Sequence, residues 1–191
     1  MGEDALLLSS LEEFYSRGDY GEKLYEVVSG GRRISLRSID WFITNYSKKN
    51  NVYYIVHELE DGTPTDNEAL STKSRNFNVH QSYKSQLKAY SKKSFDPFCR
   101  RRRLLFPLNE NKHINTTIGQ LNFFRWAISN RVTDYIHENK SVIEEDMNTC
   151  LKKIKLKSSQ KKGERKKREE LSLSATRGLS CTNISVELTF D

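Results

Sequence analysis

The sequence has no long run of apolar residues. Nowhere in its 191 residues do apolar side chains approach the roughly 18 to 20 consecutive positions that a membrane-spanning helix needs. The N-terminus carries Glu3 and Asp4, where a secretory signal peptide would carry positive charge. We therefore expect an intracellular protein that is neither secreted nor inserted into a membrane.

Cysteine is scarce, with three residues at positions 99, 150 and 181. An odd number of widely separated cysteines is unlike a disulfide framework and favours a reducing compartment. The four histidines stand in no paired, short spacing with these cysteines, so a structural zinc site is not expected. We predict neither a metal nor a cofactor.

Signatures of enzymes are missing as well. The segment Gly30-Gly31-Arg32-Arg33 lacks the spaced glycines and the lysine of a phosphate-binding loop. A turn-rich loop does carry acidic residues of the kind that clamp Mg²⁺ for phosphodiester cleavage. They are Glu58, Glu60, Asp61, Asp66 and Glu68. Acidic residues are ordinary in solvated loops, so a metal-dependent nuclease is the least favoured function, and we predict a non-catalytic protein.

Positive charge is what the sequence has in excess, with a formal net charge of +7. It is concentrated in two windows: residues 83–106 hold eight basic side chains and one acidic, and residues 151–170 hold ten and three. The remaining segments each carry a small negative net charge. Such clustering is typical of proteins that bind nucleic acid.

Hydrophobic spacing predicts several helices. The clearest spans 117–137, where apolar residues recur three or four positions apart, with a cap at 115–117. A second spans 141–155, where Ser141 and Glu144 form a capping-box pattern. Further helices are expected at 36–46 and 83–90, and a short element at 20–28. A first helix should end near Gly18, although its pattern would also tolerate a strand.

Strands are indicated at 52–56, which is rich in β-branched and aromatic residues, and near Phe77 and Val79. Residues 60–76 should form a loop. Strict alternation at 184–190 predicts a half-buried strand, which would pair either with the sheet at 52–56 or with another chain.

Together these patterns predict an α+β fold in which a small sheet packs against two or three helices. Residues 1–156 would form a single domain, and 157–170 a flexible basic linker without an apolar pattern. Residues 171–191 would form a tail that ends in the strand at 184–190.

The first basic window interleaves basic and aromatic residues. Lysine and arginine neutralise phosphates, and aromatic faces stack on unpaired bases. In the alternative interpretation the aromatic residues belong to the core and the charges to a solvated face. The candidate nucleic-acid-binding residues of this window are Lys84, Lys88, Tyr90, Lys92, Lys93, Phe95, Arg100, Arg101, Arg102 and Arg103.

The second basic window has the composition of a nuclear-localisation signal or a nucleic-acid-binding patch. In the alternative interpretation, without a binding function, it is a solvated helix end and linker. Its candidate residues are Lys161, Lys162, Arg165, Lys166, Lys167 and Arg168.

Four strings resemble uncharacterised proteins of the nucleocytoplasmic large DNA viruses. They are IDWFITNYSKKNN at 39–51, YKSQLKAYSKK at 83–93, FDPFCR at 95–100 and GQLNFFRWA at 119–127. The resemblance spans about 36–150 and implies a viral protein made in an infected eukaryotic cell, located in the host nucleus or cytoplasm or in the virion. It brings no established activity and no binding or catalytic residue.

The expected function is binding of nucleic acid with low sequence specificity. The alternative is a viral structural or scaffold protein that contacts other viral or host proteins, with its last strand added to the sheet of a neighbour.

Overall fold

The computed structural model describes residues 2–29, 34–65, 67–90, 93–109, 111–160 and 180–181. Within these ranges, helices alternate with two small antiparallel sheets around one hydrophobic core. This arrangement confirms the predicted α+β class.

The chain begins with two helices, where the sequence predicted a helix or strand that ends near Gly18 and a short element at 20–28. Helix α1 spans Glu3–Ser16 and helix α2 spans Tyr20–Ser29. Gly18, with φ of 49°, stands in the left-handed region between them and allows the chain to reverse. Leu24 and Val27 of α2 are buried, as their helical spacing requires.

The predicted helix at 36–46 is also present. It begins as α3 at Leu36–Trp41, widens into a π-helical segment at Phe42–Tyr46 and ends as α4 at Ser47–Lys49. Ser35 caps its first turn, since the Ser35 side chain accepts a hydrogen bond from the Ser38 N–H at 3.0 Å.

The first sheet has β1 at Tyr53–Glu58 between β2 at Pro64–Thr65 and β3 at Lys73–Asn78, all antiparallel. The strand predicted at 52–56 is confirmed. The prediction of an uninterrupted loop at 60–76 is wrong, because this segment contributes both partners of β1.

Helix α5 spans Val79–Ala89 and follows β3 directly. The prediction that Val79 belongs to a strand is wrong, because the Asn78 side chain accepts a hydrogen bond from the Gln81 N–H at 3.0 Å and starts a helix there.

The second sheet was not predicted. It pairs β4 at Leu104–Asn109 with β5 at Lys112–Thr116, and β5 with β6 at Ser180–Cys181. Pro107 interrupts the apolar pattern of β4, and Ile114 is the one apolar residue of β5, so neither strand shows a clear period. The candidate strand at 184–190 lies outside the described residues.

Three helices complete the fold, namely α6 at Ile118–Ser129, α7 at Val132–Glu138 and α8 at Lys140–Gln160. The single helix predicted at 117–137 is broken, because Arg131 has φ of 55°. The Asn130 side chain donates to the Trp126 carbonyl at 2.6 Å and helps to end α6.

Helix α8 differs from its prediction at both ends. It begins at Lys140, so Ser141 lies in the first turn and is not the cap. It continues to Gln160, so residues 157–160 are helical and do not belong to a linker. Residues 161–170 of the predicted linker lie outside the described residues.

Helix α6 is the centre of the molecule. Nine of its residues are buried, on all sides of the helix: Gly119, Gln120, Leu121, Asn122, Phe123, Phe124, Trp126, Ala127 and Ile128. A helix that is buried on every side is enclosed by the rest of the fold. Helix α6 therefore holds the surrounding elements in place, including the segment at 93–103 that carries most of the first basic window.

Candidate nucleic-acid interface

Two buried amides of α6 hold the loop at 93–99. The Gln120 side-chain amide donates to the Pro97 carbonyl at 3.0 Å, and the Asn122 amide donates to the Ser94 carbonyl at 2.8 Å. The Asp96 N–H also donates to the Gly119 carbonyl at 3.2 Å. Buried polar groups of this kind are costly unless paired, so these bonds fix the path of the loop.

Gly119 permits a close approach between this loop and α6. A Cβ atom at position 119 would lie 2.5 Å from the Lys93 carbonyl oxygen and 3.4 Å from Cys99 Cβ. No real side chain fits at such a distance, so the loop reaches this position only over glycine. The placement of Lys93 therefore depends on a residue in the first turn of α6.

A cavity of about 260 Å³ opens where the loop meets the start of α6. Three basic residues line it, Lys93, Arg101 and Arg102, together with one acidic residue, Asp4. The other lining residues are Ser94, Cys99, Thr117, Ile118 and Gly119. The ionised side chains around the cavity therefore sum to a charge of +2. The positive, N-terminal end of the α6 dipole lies at the cavity and adds to the positive potential.

Asp4 reaches the cavity because α1 lies against α6. Tyr15 of α1 donates to the Leu121 carbonyl at 2.7 Å, and burial raises the pKa of this phenol well above its usual value. Asp4 then pairs with Arg102, with Oδ2 and Nη1 3.1 Å apart. Both side chains are largely exposed, at 58% and 87%, so the pair contributes at most about 1 kcal/mol and is easily displaced.

Arg125 is a basic residue of this region that sequence reasoning missed. Its guanidinium donates to Ser10 Oγ at 3.1 Å, Tyr90 Oη at 3.2 Å and Asn122 Oδ1 at 2.7 Å. All three acceptors are neutral, so these contacts do not cancel its charge. The signal was present, because Arg125 is the sole charged residue of the otherwise apolar and polar segment 118–129.

The two aromatic candidates have different positions. Phe95 is 1% exposed and packs against Phe123 and Trp126, with ring centroids 5.5 and 5.9 Å apart. Its ring faces are covered, and the structure removes it from the candidate interface. Tyr90 is partly exposed, lies nearly parallel to Phe95 and accepts a hydrogen bond from Arg125.

The remaining basic candidates that the structure describes lie on the surface. Lys84 and Lys88 are exposed and four residues apart on α5, so they share one face of that helix. Arg100 and Arg103 are exposed in the segment before β4. Lys92 lies outside the described residues, and so do Lys161, Lys162, Arg165, Lys166, Lys167 and Arg168.

Two of the five acidic residues considered for a nuclease make structural bonds. Glu58 pairs with Arg75 at 2.7 Å, and Asp61 Oδ1 accepts the Thr63 N–H at 2.8 Å. That backbone hydrogen bond holds the pKa of Asp61 below its usual value. Asp66 lies outside the described residues. In the part of the chain that is described, no three His, Cys, Asp or Glu side chains converge as metal ligands would.

The same described ranges contain no helix that is both long and apolar enough to cross a membrane.

The fold and the cavity define a small α+β protein with a basic site at the start of its central helix. Residues 1–188 match the model of DUF7197, a family of unknown function, and the chain belongs to this family. It is similar to an uncharacterised protein of Acanthamoeba polyphaga mimivirus, with 38% identity over 157 residues. The match covers 79% of this chain and 56% of the viral protein, so the chain spans little more than half of that relative's length. No solved structure matches.

These similarities confirm the coarse part of the resemblance seen in the sequence. The family is of unknown function, and the chain is similar to an uncharacterised protein of a large DNA virus.

Proposed function

We propose that this protein binds nucleic acid through the phosphate backbone, with little sequence preference and without catalysis. The observation that carries the proposal is the convergence of Lys93, Arg101 and Arg102 on one cavity at the start of α6. Like charges brought together on a folded surface repel one another, so such a cluster costs stability unless it meets an anion. Phosphates of nucleic acid are anions that clusters of lysine and arginine neutralise.

The exposed basic residues of the first window extend this surface beyond the cavity. Lys84, Lys88 and Arg100 are exposed, and residues 83–106 carry a single acidic side chain, Asp96. Contacts from lysine and arginine to phosphates carry no base information, which is why sequence preference should be low. Tyr90 offers a partly exposed ring beside Arg125, and an exposed aromatic ring would add preference for single strands.

Salt dependence tests the proposal directly. If five basic side chains, such as Lys84, Lys88, Lys93, Arg100 and Arg101, each contact a phosphate, the logarithm of the duplex affinity should fall against log salt with a slope of about −4 to −5. Fluorescence anisotropy of labelled single- and double-stranded oligonucleotides at several salt concentrations measures this slope.

A matched pair of variants locates the contact. The double variant Lys93→Gln with Arg101→Gln should flatten the slope by roughly 2, because two phosphate contacts are lost. The control, Lys48→Gln with Lys73→Gln, removes the same charge from exposed positions outside both basic windows and should leave the slope unchanged. Absence of binding at low salt would contradict the proposal and favour the structural or scaffold function, while equal losses in both variants would mean a diffuse charge effect.

A further inference from the structure

We infer that the cavity at the start of α6 binds a phosphomonoester, the terminal phosphate of a nucleic-acid strand. This inference rests on the proposed function and adds a defined ligand group to it. The cavity volume of about 260 Å³ lies just below the roughly 300 to 1,000 Å³ of sites that hold whole drug-sized ligands. The cavity is therefore large enough for a phosphate group with part of its sugar.

Charge distinguishes a terminal phosphate from an internal one. Lys93, Arg101 and Arg102 against Asp4 give the ionised lining a charge of +2. A phosphomonoester carries about −1.5 to −2 at pH 7, whereas each diester of the backbone carries about −1. The monoester therefore neutralises the cavity, and a diester leaves about one positive charge uncompensated.

The hydrogen-bonding groups suit the same ligand. Arg101 and Arg102 present guanidinium forks, which bind phosphate oxygens in pairs, and Lys93 adds a compact ammonium. Thr117 is 98% buried and lines the cavity, and its hydroxyl, which accepts the Gln120 N–H at 3.2 Å, can donate its own proton. A terminal phosphate has three oxygens to receive these donors, and an internal one has two.

The carboxylate of Asp4 opposes the binding of an anion in the cavity. It lines the cavity and pairs with Arg102, so an entering phosphate competes with it for this guanidinium. Because the two side chains are 58% and 87% exposed, this exchange is inexpensive for a doubly charged group. Removal of the carboxylate by Asp4→Asn should therefore tighten the binding of a phosphorylated end by several-fold.

The test compares oligonucleotides of one sequence that carry a 5′-phosphate, a 3′-phosphate or hydroxyls at both ends. We expect the full chain to bind at least one phosphorylated form about tenfold more tightly than the unphosphorylated form. Lys93→Gln with Arg101→Gln should abolish this preference. Lys84→Gln with Lys88→Gln, which removes the same charge from α5 outside the cavity, should weaken all three forms equally and keep the preference.

The pH dependence provides an independent readout. The second ionisation of a phosphomonoester has a pKa near 6, so the preference should shrink as the pH falls from about 7.5 to 5.5. Binding of the unphosphorylated strand should change little over that range.

Alkylation of cysteine reports on the cavity itself. Cys99 lines the cavity, whereas Cys150 lies on α8 outside it, and both are free and partly exposed. A phosphorylated oligonucleotide should slow the reaction of Cys99 with iodoacetamide and leave Cys150 unaffected, as mass spectrometry of the two peptides would show.

Equal affinity for phosphorylated and unphosphorylated ends, or equal protection of Cys99 by both, would overturn the inference. Salt-dependent binding of all three oligonucleotides would then leave the proposed function standing. Inorganic phosphate or a free mononucleotide that binds as tightly as the phosphorylated strand would assign the cavity to small phosphate compounds and overturn the assignment to a strand end.

Discussion

Replacement of Gly119 by alanine would have two opposing effects on stability. In an exposed helix, replacement of glycine by alanine stabilises by about 1 kcal/mol, because alanine restricts the unfolded chain. At position 119 the added Cβ would lie 2.5 Å from the Lys93 carbonyl oxygen, which belongs to the backbone and cannot rotate away. Overpacking of this kind costs about 1 to 3 kcal/mol. The steric effect should therefore win.

We expect Gly119→Ala to lower the free energy of unfolding by up to about 2 kcal/mol and to weaken nucleic-acid binding by moving Lys93. Urea denaturation measures the first effect and anisotropy the second. Gly2→Ala is the control, since nothing lies within 4 Å of a Cβ atom built there. A Gly119→Ala protein as stable as the parent would show that the loop does not press on α6.

Single residues also show where sequence reasoning stops. Both interpretations of the first window place its lysines and arginines on the surface, and Lys84, Lys88 and Arg100 are exposed. Composition does not say which aromatic residues between them are buried, and Phe95 lies in the core while Tyr90 is partly exposed. Arg125 escaped notice because its partners, Ser10 and Tyr90, come from distant parts of the chain.

Asp146 links helix α8 to both α3 and α4. Asp146 accepts the Trp41 indole N–H at 3.0 Å and pairs with Lys49 through its other oxygen. Burial raises the pKa of Asp146, but the hydrogen bonds from Lys49 and Trp41 outweigh it and hold the pKa below its usual value. The stability that the ionised Asp146 contributes is therefore present above its unfolded pKa and is lost as the pH falls through the lower folded pKa.

We expect Asp146→Ala to lower the free energy of unfolding at pH 7 by about 1.5 to 3 kcal/mol, since a hydrogen bond to a charged group contributes about that much. Glu145→Ala is the control on the same helix, because Glu145 is exposed. Chemical denaturation of the two variants gives the comparison, and equal stability would mean that the Asp146 bonds do not stabilise the packing of α8.

Hydrophobic periodicity predicted most of the helices but missed the break between α6 and α7 and the hairpin of β4 and β5. Leu121, Ile128 and Val132 keep helical spacing across the break at Asn130 and Arg131, so the break leaves no trace in the hydrophobic pattern. The hairpin of β4 and β5 was missed for the opposite reason. Its strands are short, and one contains Pro107, so the period of two is not visible.

The stability of the whole molecule should respond to pH through Asp40. Burial raises the pKa of Asp40 to about 6, and the neighbouring charge of Asp96 adds to this effect. The same two carboxylates and, above all, burial raise the pKa of Tyr83 to about 12. The folded state thus holds a proton on Asp40 that the unfolded chain has already released above about pH 4.

A raised folded pKa contributes stability that is fully present below the unfolded value and is lost as the pH rises through the folded value. For Asp40 that window runs from about pH 4 to 6, and the loss is at most about 3 kcal/mol. Asn does not titrate, so Asp40→Asn should remove this loss. The free energy of unfolding of the variant, relative to that of the parent, should therefore rise between pH 4 and 7.

Thermal or urea unfolding at several pH values measures this difference. Glu12→Gln, at an exposed carboxyl on α1, serves as the control and should follow the parent. A constant difference between Asp40→Asn and the parent across the range would contradict the raised pKa.

The lining of the cavity comes from position 4, from 93–102 and from 117–119, and Asp4 and Arg102 are 98 residues apart in the chain. Bringing such distant positions together costs entropy, because the intervening chain must lose its freedom. A ligand in the cavity therefore recognises the completed fold and no partly folded precursor. At a hundredfold excess over its dissociation constant it would add about 2.7 kcal/mol to the free energy of unfolding. Binding in the cavity and folding of the chain are thus thermodynamically linked, so a rise in the free energy of unfolding measures occupancy of the cavity.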